Sequence, residues 1–271
     1  MAQQSNPNPD LTKVNPARVH DWFLGGTLNT PIDRAAGKRI DNALPELRSM
    51  VQANRVFLRH AVNYMLDQGV RQFLELGSGL PTARHVHHVI REAQLDAAVV
   101  YIDWDPAVVT AGQAAVRGTD RAALVQADLR DPRAVLDHPF TRQLINFAEP
   151  VGLLMIGILH TIPDDAHPDQ VIALYRQELC SHSHLALSHP TQHGAPTEPP
   201  LHAEETYLAQ VDVLGHITTR SHATLDSWLE GLTLIPPGLA PMSDWLQPSR
   251  GDTSEPVSAP LDTLAAIGYE P

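Results

Sequence analysis

Cysteine is nearly absent from this chain: Cys180 is the one cysteine among 271 residues, so no disulfide can form within it. Such sparse cysteine usage is typical of a reducing compartment, and we expect a cytoplasmic protein. No apolar run approaches the roughly 20 residues that a membrane-spanning helix needs. Basic residues are also few, with 19 Lys and Arg against 31 Asp and Glu. The net charge of −12 argues against a nucleic-acid-binding surface or an anionic-membrane anchor.

What the chain does contain is enough apolar sequence for a core, since hydrophobic residues make up 43% of it. The segment MAQQSNPNPD is polar and proline-bearing, which does not fit a secretory signal. Apolar residues then recur at three- and four-residue spacing from Leu47 to Leu66, which predicts a long helix ending near Gly69. We expect three parts: a disordered lead-in, a helical extension and a sheet domain, at residues 1–14, 15–69 and 70–271.

After the helical extension, short apolar segments alternate with helical ones. This alternation predicts a parallel sheet with helices on both faces. Strands are predicted at residues 71–76, 97–103, 123–128, 150–159 and 184–189, with a closing pair at 232–238 and 265–271. Loops are predicted at residues 191–202 and 248–260, and a helix at 203–217.

A glycine turn follows the first predicted strand, with Gly77, Ser78 and Gly79 leading into a helical segment. Strand, glycine turn and helix form the first unit of nucleotide-binding α/β domains. The third glycine of a dinucleotide-binding motif is absent, and no P-loop lysine follows. A nucleoside without phosphates therefore suits this turn better than a dinucleotide or a nucleoside triphosphate.

Three carboxylates stand at the carboxyl ends of the first three predicted strands: Glu75, Asp103 and Asp128. Ligands of open α/β sheets bind at that edge. Asp103 lies 24 residues beyond Gly79, a spacing at which an acid can bind both ribose hydroxyls. Asp128, one strand further out, is placed to accept from an adenine amino group. Asp105 and Asp131 each precede a proline, and we expect them to cap helices instead.

Longer motifs carry a family resemblance. The combination of ELGSGLPT, VYIDWDP, VQADLRDP and ILHTIPDD resembles class I S-adenosylmethionine-dependent methyltransferases. NPARVHDWFLGG, ANRVFLRHAV, ALSH and LEGLTLIPPGLAPMSDW narrow the resemblance to the actinobacterial S-adenosyl methyltransferase family formerly catalogued as a domain of unknown function. The motifs run from about Asn15 to the C-terminus. The resemblance implies a Rossmann-like, seven-stranded α/β sheet with helices on both faces and an N-terminal helical lid.

The resemblance also implies a cofactor, S-adenosylmethionine, with S-adenosylhomocysteine as product. Glu75 and the glycine turn would face the methionine moiety and ribose, and Asp103 would bind the ribose hydroxyls. The residues with implied cofactor contacts, including those of the lid and those around the adenine and the sulfonium, are Arg18, His20, Gly25, Gly26, Glu75, Gly77, Ser78, Gly79, Asp103, Trp104, Asp128, Leu129 and Gly157. The family commonly has GGKDN where this chain has GGTLNT, and Asp where this chain has Glu75. The first departure removes a lysine and an aspartate from the lid and affects its substrate contacts, whereas the second is a mild change.

Two histidines at strand ends are candidates for a catalytic base, His160 after the fourth strand and His189 at the end of the fifth. For either, a structural role is an equal alternative. The chain has 15 histidines, but no group of them has paired cysteines or the H-E-x-x-H pattern, so we predict no metal site.

These observations predict a methyltransferase that acts on a small molecule, with specialised metabolism as a setting. Neither nucleic acid nor membrane is expected as a partner. Two alternatives keep the cofactor site: a cyclisation or elimination reaction of S-adenosylmethionine, and a non-catalytic cofactor-binding or interaction role. The products separate the first alternative from methyl transfer, and binding without turnover would indicate the second.

Overall fold

A mixed sheet of eight strands forms the centre of the protein. The computed structural model describes residues 10–81, 85–191, 215, 217–246 and 263–271. The strands are β1 (Gln72–Leu76), β2 (Ala98–Asp103), β3 (Ala122–Gln126), β4 (Gly152–Ile156), β5 (His184–Pro190), β6 (Thr233–Leu234), β7 (Ala240–Pro241) and β8 (Thr263–Tyr269). Nearly all of the predicted 191–202 and 248–260 loops and of the 203–217 helix lies outside the described residues, as does most of the predicted lead-in.

Helices precede the sheet and cover both of its faces. Those in the described part of the chain are α1 (Pro16–Phe23), α2 (Pro31–Ala43), α3 (Glu46–Asp67), α4 (Val86–Glu92), α5 (Pro106–Ala115), α6 (Pro132–Leu136), α7 (Pro139–Leu144), α8 (Pro168–Arg176), α9 (His222–Trp228) and α10 (Met242–Trp245). Two short 3-10 turns, Leu159–Thr161 and Asp164–Ala166, follow β4. None of the helices in the described ranges is long and apolar enough to cross a bilayer.

The strand order is β3-β2-β1-β4-β5-β8-β6, with β7 pairing to β8 as well. Strands β1 to β5 run parallel, and β8 runs antiparallel to β5. Seven strands follow one another in this order, which confirms the predicted sheet of seven strands. The predicted closing pair corresponds to β6 and β8. The sequence pattern did not indicate β7, which has two residues and contains a proline.

Successive strand residues point to opposite faces and fill two separate cores. Phe73 and Val99 pack with α3 on one face, whereas their neighbours Leu74 and Val100 pack with α8 on the other. This is the reason that the central strands are apolar almost throughout, because both faces of a parallel sheet are covered.

Local capping fixes where several helices begin. The Asp105 side chain accepts from the Ala107 N–H at the start of α5, and the Asp131 side chain accepts from the Ala134 N–H at the start of α6. Both capping predictions are confirmed. A proline follows each cap at the first helical position. Proline has no N–H, and an N–H at this position would have no partner within the helix.

The N-terminal helices form a small third core with the start of α3. Its buried members are Val19, Phe23, Ala36, Ile40, Leu47 and Val51. The predicted long helix is α3, which ends at Asp67 and is followed by Gly69 at a φ of +90°. Helix α3 then packs on the sheet through its other buried face.

Candidate active site

The carboxyl ends of β1, β2 and β4 lie side by side and gather most of the predicted site residues at one edge of the sheet. We call this region the carboxyl edge. It carries the glycine turn after β1, Asp103 at the end of β2, and the segment from Gly157 to His160 after β4. This edge is where open α/β sheets bind ligands.

The glycine turn needs glycine for two physical reasons. Gly77 and Gly79 have φ values of +71° and +66°, which side chains rarely allow. A Cβ on Gly77 would also lie 2.2 Å from a side-chain atom of Ile158, so the turn packs tightly on the segment after β4. A Cβ on Gly79 would meet no atom within 4 Å. One glycine thus packs against protein, and the other faces open space.

Asp103 holds the glycine turn in place. Its Oδ2 accepts from the Gly79 N–H at 2.9 Å, and its Oδ1 accepts from the Asp105 N–H at 3.0 Å. Burial raises the pKa of Asp103 to about 6, and the hydrogen bonds that the carboxylate accepts oppose this rise. Each carboxylate oxygen keeps a second lone pair, so the group can still accept from a ligand. Trp104, the next residue, is 74% exposed.

The residues after β3 lie further along the same edge. Asp128 is bound on both oxygens by the Arg130 guanidinium, with 3.0 Å from Nε to each, and this hydrogen bonding lowers the pKa of Asp128. Leu129 is buried, and its carbonyl accepts from the Tyr175 hydroxyl at 2.9 Å. The predicted adenine contacts of Asp128 and Leu129 stay predictions. Nothing in the sequence pattern indicated that Arg130 would pair with Asp128.

Helix α1 is attached to the carboxyl edge. The Asn15 Nδ2 donates to Asp105 Oδ2 at 2.5 Å, which joins the start of α1 to the start of α5. His20, one turn into α1, is exposed. The surrounding protein and the nearby charges of Arg55 and His160 lower its pKa. Helix α1 therefore lies close enough to the carboxyl edge for the charge of His160 to act on His20.

The other predicted residues of this segment connect α1 to α2. Arg18 is buried, and its Nε donates to Asp33 Oδ2 at 2.6 Å. Asp21 Oδ2 accepts from the Leu28 N–H at 2.9 Å, which closes the turn that holds Gly25 and Gly26. A Cβ on Gly26 would lie 1.9 Å from Asp21 Oδ1, so this position has no room for a side chain. Direct cofactor contacts of Arg18, Gly25 and Gly26 stay predictions.

A buried carboxyl and a buried guanidinium lie at the back of the carboxyl edge. Glu75 is 5% exposed, and its Oε2 has no hydrogen-bond partner among the described residues. Burial raises the pKa of Glu75 to about 7, with Arg55 opposing and Asp103 adding to the shift. Arg55, on α3, also has a buried nitrogen, Nη1, without a partner in the described part of the chain. Sequence reasoning singled out Glu75 and missed Arg55, which only the packing of α3 brings to the sheet.

His189 lies at the carboxyl end of β5 and is fully buried. Its Nδ1 lies 2.7 Å from the Pro190 carbonyl, which can only accept, so Nδ1 carries the hydrogen. Its Nε2 accepts from Arg220 Nη1 at 2.9 Å. Both ring nitrogens of His189 are therefore used within the protein, and its catalytic role stays a prediction that this arrangement does not favour.

Arg220 fixes the segment that carries His160. This buried guanidinium donates to the carbonyls of Leu159 and Ile162 at 3.1 and 2.6 Å, and its Nη2 lies 2.8 Å from Asp164 Oδ1. It also contacts the Trp228 ring face at 4.9 Å. The sequence did not mark Arg220, because it lies 31 residues beyond His189 along the chain.

His160 is half-buried, and its Nδ1 has no partner among the described residues. Burial and the Arg220 charge lower its pKa to about 4, so the imidazole is neutral at pH 7. Unlike His189, it keeps hydrogen-bonding capacity for a ligand.

Asn54 on α3 is linked through the Ser188 hydroxyl to Gly157, the glycine after β4. The Ser188 hydroxyl donates to Asn54 Oδ1 at 2.6 Å and accepts from the Gly157 N–H at 2.9 Å. A Cβ on Gly157 would lie 3.1 Å from Asn54 Nδ2, which is tight. The ALSH motif thus includes a serine that links α3 to the turn after β4.

Two of the histidines that lie close together in the sequence form hydrogen bonds within the protein. His87 Nδ1 lies 2.7 Å from the Tyr101 hydroxyl, and His184 Nδ1 lies 2.9 Å from the His182 carbonyl. Within the ranges that the structure describes, no three His, Cys, Asp or Glu side chains are grouped as metal ligands.

A separate cavity of about 560 Å³ opens at the opposite, amino edge of the sheet. Arg71, Gln72, Ala98 and Arg121 lie in its wall, and it contains none of the predicted site residues. We therefore assign the candidate site to the carboxyl edge.

Comparisons with known proteins identify a family match and solved structures of the same fold. A family model described as S-adenosyl methyltransferase matches residues 2–271. A proposed methyltransferase from Thermobifida fusca is 31% identical, with a TM-score of 0.84 and 99% of both chains covered. A DUF574 family protein from Streptomyces avermitilis is 29% identical, with a TM-score of 0.85, covering 97% of this chain and 99% of that one. The plantazolicin methyltransferase BpumL, solved with S-adenosylhomocysteine, is 12% identical, with a TM-score of 0.55 and 94% and 95% covered, a likeness of fold alone. A comparison with curated proteins gives no match.

Proposed function

Because the chain belongs to the S-adenosyl methyltransferase family, with S-adenosylmethionine as cofactor, we propose that it methylates a small molecule. S-adenosylhomocysteine is the second product of such a transfer. A cytoplasmic setting, predicted from the single cysteine, and a place in specialised metabolism belong to the same proposal.

The residues of the carboxyl edge fit this cofactor. Gly79 faces open space, and Glu75 offers a buried oxygen without a partner in the described residues. We assign the ribose hydroxyls to the spare lone pairs of Asp103 and the adenine ring to the exposed face of Trp104. Gly157 would lie beside the sulfur. Arg18 and the turn at residues 25–26 would act by holding α1 in place over the carboxyl edge.

The observation that carries the small-molecule proposal is the attachment of α1 at the carboxyl edge. Asn15 joins α1 to Asp105, and the charge of His160 acts on His20 of α1. A helix held at this edge would cover part of the site, which favours an acceptor that fits beneath it over a polymer. The acidic chain gives no electrostatic support for nucleic acid as an acceptor.

The bound cofactor supplies a methyl group that is already activated on a sulfonium sulfur. The chain contributes alignment of the two reactants and exclusion of water. The Nδ1 of His160 has no partner among the described residues and the ring is neutral, so this nitrogen could accept a proton from an acceptor hydroxyl or amine. Arg220 would keep His160 in place through the Leu159 and Ile162 carbonyls.

The test compares His160→Gln with the wild-type enzyme on acceptors found by product mass. We expect kcat to fall about 10²- to 10⁴-fold, the usual contribution of a general base, while S-adenosylhomocysteine affinity changes less than about threefold. The exposed His222→Gln, on α9, is the matched control and should keep full activity.

Formation of S-adenosylhomocysteine together with a methylated acceptor supports the proposal. Formation of methylthioadenosine instead would indicate cyclisation or elimination and would contradict it. An unchanged kcat in His160→Gln would remove His160 from the role of base.

A further inference from the structure

The cavity at the amino edge of the sheet, which we call the amino-edge cavity, contains an excess of positive charge. Its volume of about 560 Å³ lies in the range of small-molecule sites. The charged side chains of its wall are three arginines and two carboxylates, Arg71, Arg121, Arg142, Asp96 and Glu149. The chain as a whole carries a net charge of −12, so the cavity is opposite in sign to the molecule around it. This difference favours a negatively charged ligand.

Two of the three arginines are paired with carboxylates. Arg121 forms an ion pair with Asp96, and Arg142 Nη2 lies 2.7 Å from Asp137 Oδ1. Arg71 forms no ion pair within the ranges that the structure describes. Arg71 is therefore the cation of this cavity that lacks a carboxylate.

Two backbone carbonyls fix the Arg71 guanidinium at one nitrogen. Its Nη1 donates to the Leu66 and Val70 carbonyls, both at 2.8 Å. The remaining donors, on Nε and Nη2, form the fork that matches a carboxylate or a phosphate, and neither has a partner among the described residues. Elsewhere in the described chain this fork binds one carboxylate in each of four arginines, Arg48, Arg130, Arg176 and Arg220. Arg71 thus presents an open fork on a guanidinium that is already held in place.

A buried amide holds the loop that forms another part of the wall. Gln72, the first residue of β1, is 7% exposed. Its Nε2 donates to the Asn146 and Glu149 carbonyls at 2.7 and 3.0 Å, and its Oε1 accepts from the Asn146 N–H at 2.8 Å. The Glu149 carboxylate accepts from the Asn146 side chain at 2.9 Å. The protein itself therefore fixes this loop, and a rigid wall needs less ordering when a ligand binds.

Arg71 and Arg121 reach the cavity from the starts of two strands. Arg71 precedes β1 and Arg121 precedes β3, with β2 between them. Neighbouring strands are about 4.8 Å apart, so the two backbones are separated by about 10 Å. Beyond its pair with Asp96, Arg121 keeps its Nε and Nη1 donors without a partner in the described part of the chain. One ligand can therefore contact both arginines.

We propose that the amino-edge cavity is a second binding site, for a small molecule that carries an oxyanion, either a phosphate or a carboxylate. Arg71 binds the oxyanion through Nε and Nη2, and Arg121 contacts the same molecule. The cavity lies at the opposite edge of the sheet from the glycine turn, so its ligand and S-adenosylmethionine can be bound at the same time. This inference does not depend on the proposed function.

The test titrates the full chain with inorganic phosphate and, separately, with acetate, and follows the arginine Nε–H groups by ¹H–¹⁵N NMR. The Arg71 resonance, assigned through its backbone, should shift with a Kd of roughly 1–10 mM for at least one of the two anions, as expected for a single charge-assisted fork. The anion that binds more tightly identifies the chemical class of the ligand.

Arg71→Met removes the fork and should weaken binding of that anion at least about tenfold, the loss expected for hydrogen bonds to a charged group. The matched control is Arg39→Met on α2, an exposed arginine outside the cavity wall, which should bind the anion as the wild type does. The affinity for S-adenosylhomocysteine should be the same with and without saturating anion.

No binding of either anion to folded wild-type protein at about 50 mM, far above the expected Kd, would overturn the proposal. Unchanged affinity in Arg71→Met would also overturn it. Where Arg71→Met does not fold, the wild-type spectrum decides, because anion binding that leaves the Arg71 resonance unshifted contradicts the assignment. Displacement of S-adenosylhomocysteine by the anion would place the anion at the carboxyl edge and overturn the second site, whereas a failure of S-adenosylhomocysteine to bind concerns the proposed function alone.

Discussion

The buried carboxyl of Glu75 lowers the stability of the ligand-free protein at neutral pH. Burial raises its pKa from 4.5 to about 7. Between these two values the folded protein retains a proton that the unfolded chain has released, so the free energy of unfolding falls as the pH rises through this range. Asp103 acts in the same direction, because burial raises its pKa from 3.8 to about 6. Both carboxyls therefore destabilise the ligand-free protein at neutral pH.

Glu75→Gln should remove its share of this destabilisation. We expect the ligand-free variant to exceed the wild type in unfolding free energy by on the order of 3 kcal/mol at pH 8, and to match it near pH 4.5. Urea unfolding at both pH values measures the difference. The control is Glu149→Gln, an exposed carboxyl at the amino edge, which should follow the wild-type curve. A Glu75→Gln variant with the wild-type pH dependence would contradict the raised pKa.

Helix α1 depends on one side chain for both its start and its position. Asn15 Oδ1 accepts from the Arg18 N–H at 3.0 Å, which caps the helix. Asn15 Nδ2 donates to Asp105, and the Asn15 N–H donates to Asp33 Oδ1 at 2.9 Å on α2. Because Arg18 also pairs with Asp33, α1 and α2 are fastened to each other and then, through Asn15, to the carboxyl edge.

Substitutions at Asn15 separate the cap from the attachment. Asn15→Ser retains a capping oxygen but loses the amide donor, so it should preserve stability to within a few tenths of a kcal/mol, while hydrogen exchange over residues 16–23 becomes faster. Asn15→Ala loses both and should lower the unfolding free energy by about 1 kcal/mol. Hydrogen-exchange mass spectrometry and urea unfolding measure the two effects. Wild-type exchange in Asn15→Ser would show that Asp105 does not hold α1.

The whole molecule presents its chemistry at one edge because five strands run parallel and all end there. The antiparallel β8 fills the sheet beyond β5 and contributes to both cores. Around this sheet the chain carries a net charge of −12. A surface of that charge repels the phosphates of nucleic acid.

We expect no binding to a 20-base-pair RNA or DNA duplex tighter than about 10⁻⁴ M at 150 mM salt. Fluorescence anisotropy at 50, 150 and 200 mM salt measures this, with S-adenosylhomocysteine binding as proof that the sample is folded. Duplex binding that weakens as salt increases would indicate a basic patch and would contradict a small-molecule acceptor.

Local features were predictable from the sequence because they depend on neighbours in the chain. Three such features arise within a few residues of sequence. They are the alternation that places Phe73 and Leu74 in different cores, the glycine turn, and the caps at Asp105 and Asp131. Strand ends were less certain: β4 stops at Ile156, three residues before its predicted end, because the next residue is a glycine with φ of +60°.

The sequence by itself determined the family, the seven-stranded α/β sheet expected of it, and the carboxyl edge as the place of the site. Only the tertiary structure decided which side chains meet there. Asn54 and Ser188 are joined across 134 residues of sequence, and Arg220 meets His189 across 31. The charge of Arg55 acts on Glu75 only because α3 packs on the sheet. Such pairings depend on the packing of whole elements, and burial, which sets the pKa of each site group, exists only once that packing has formed.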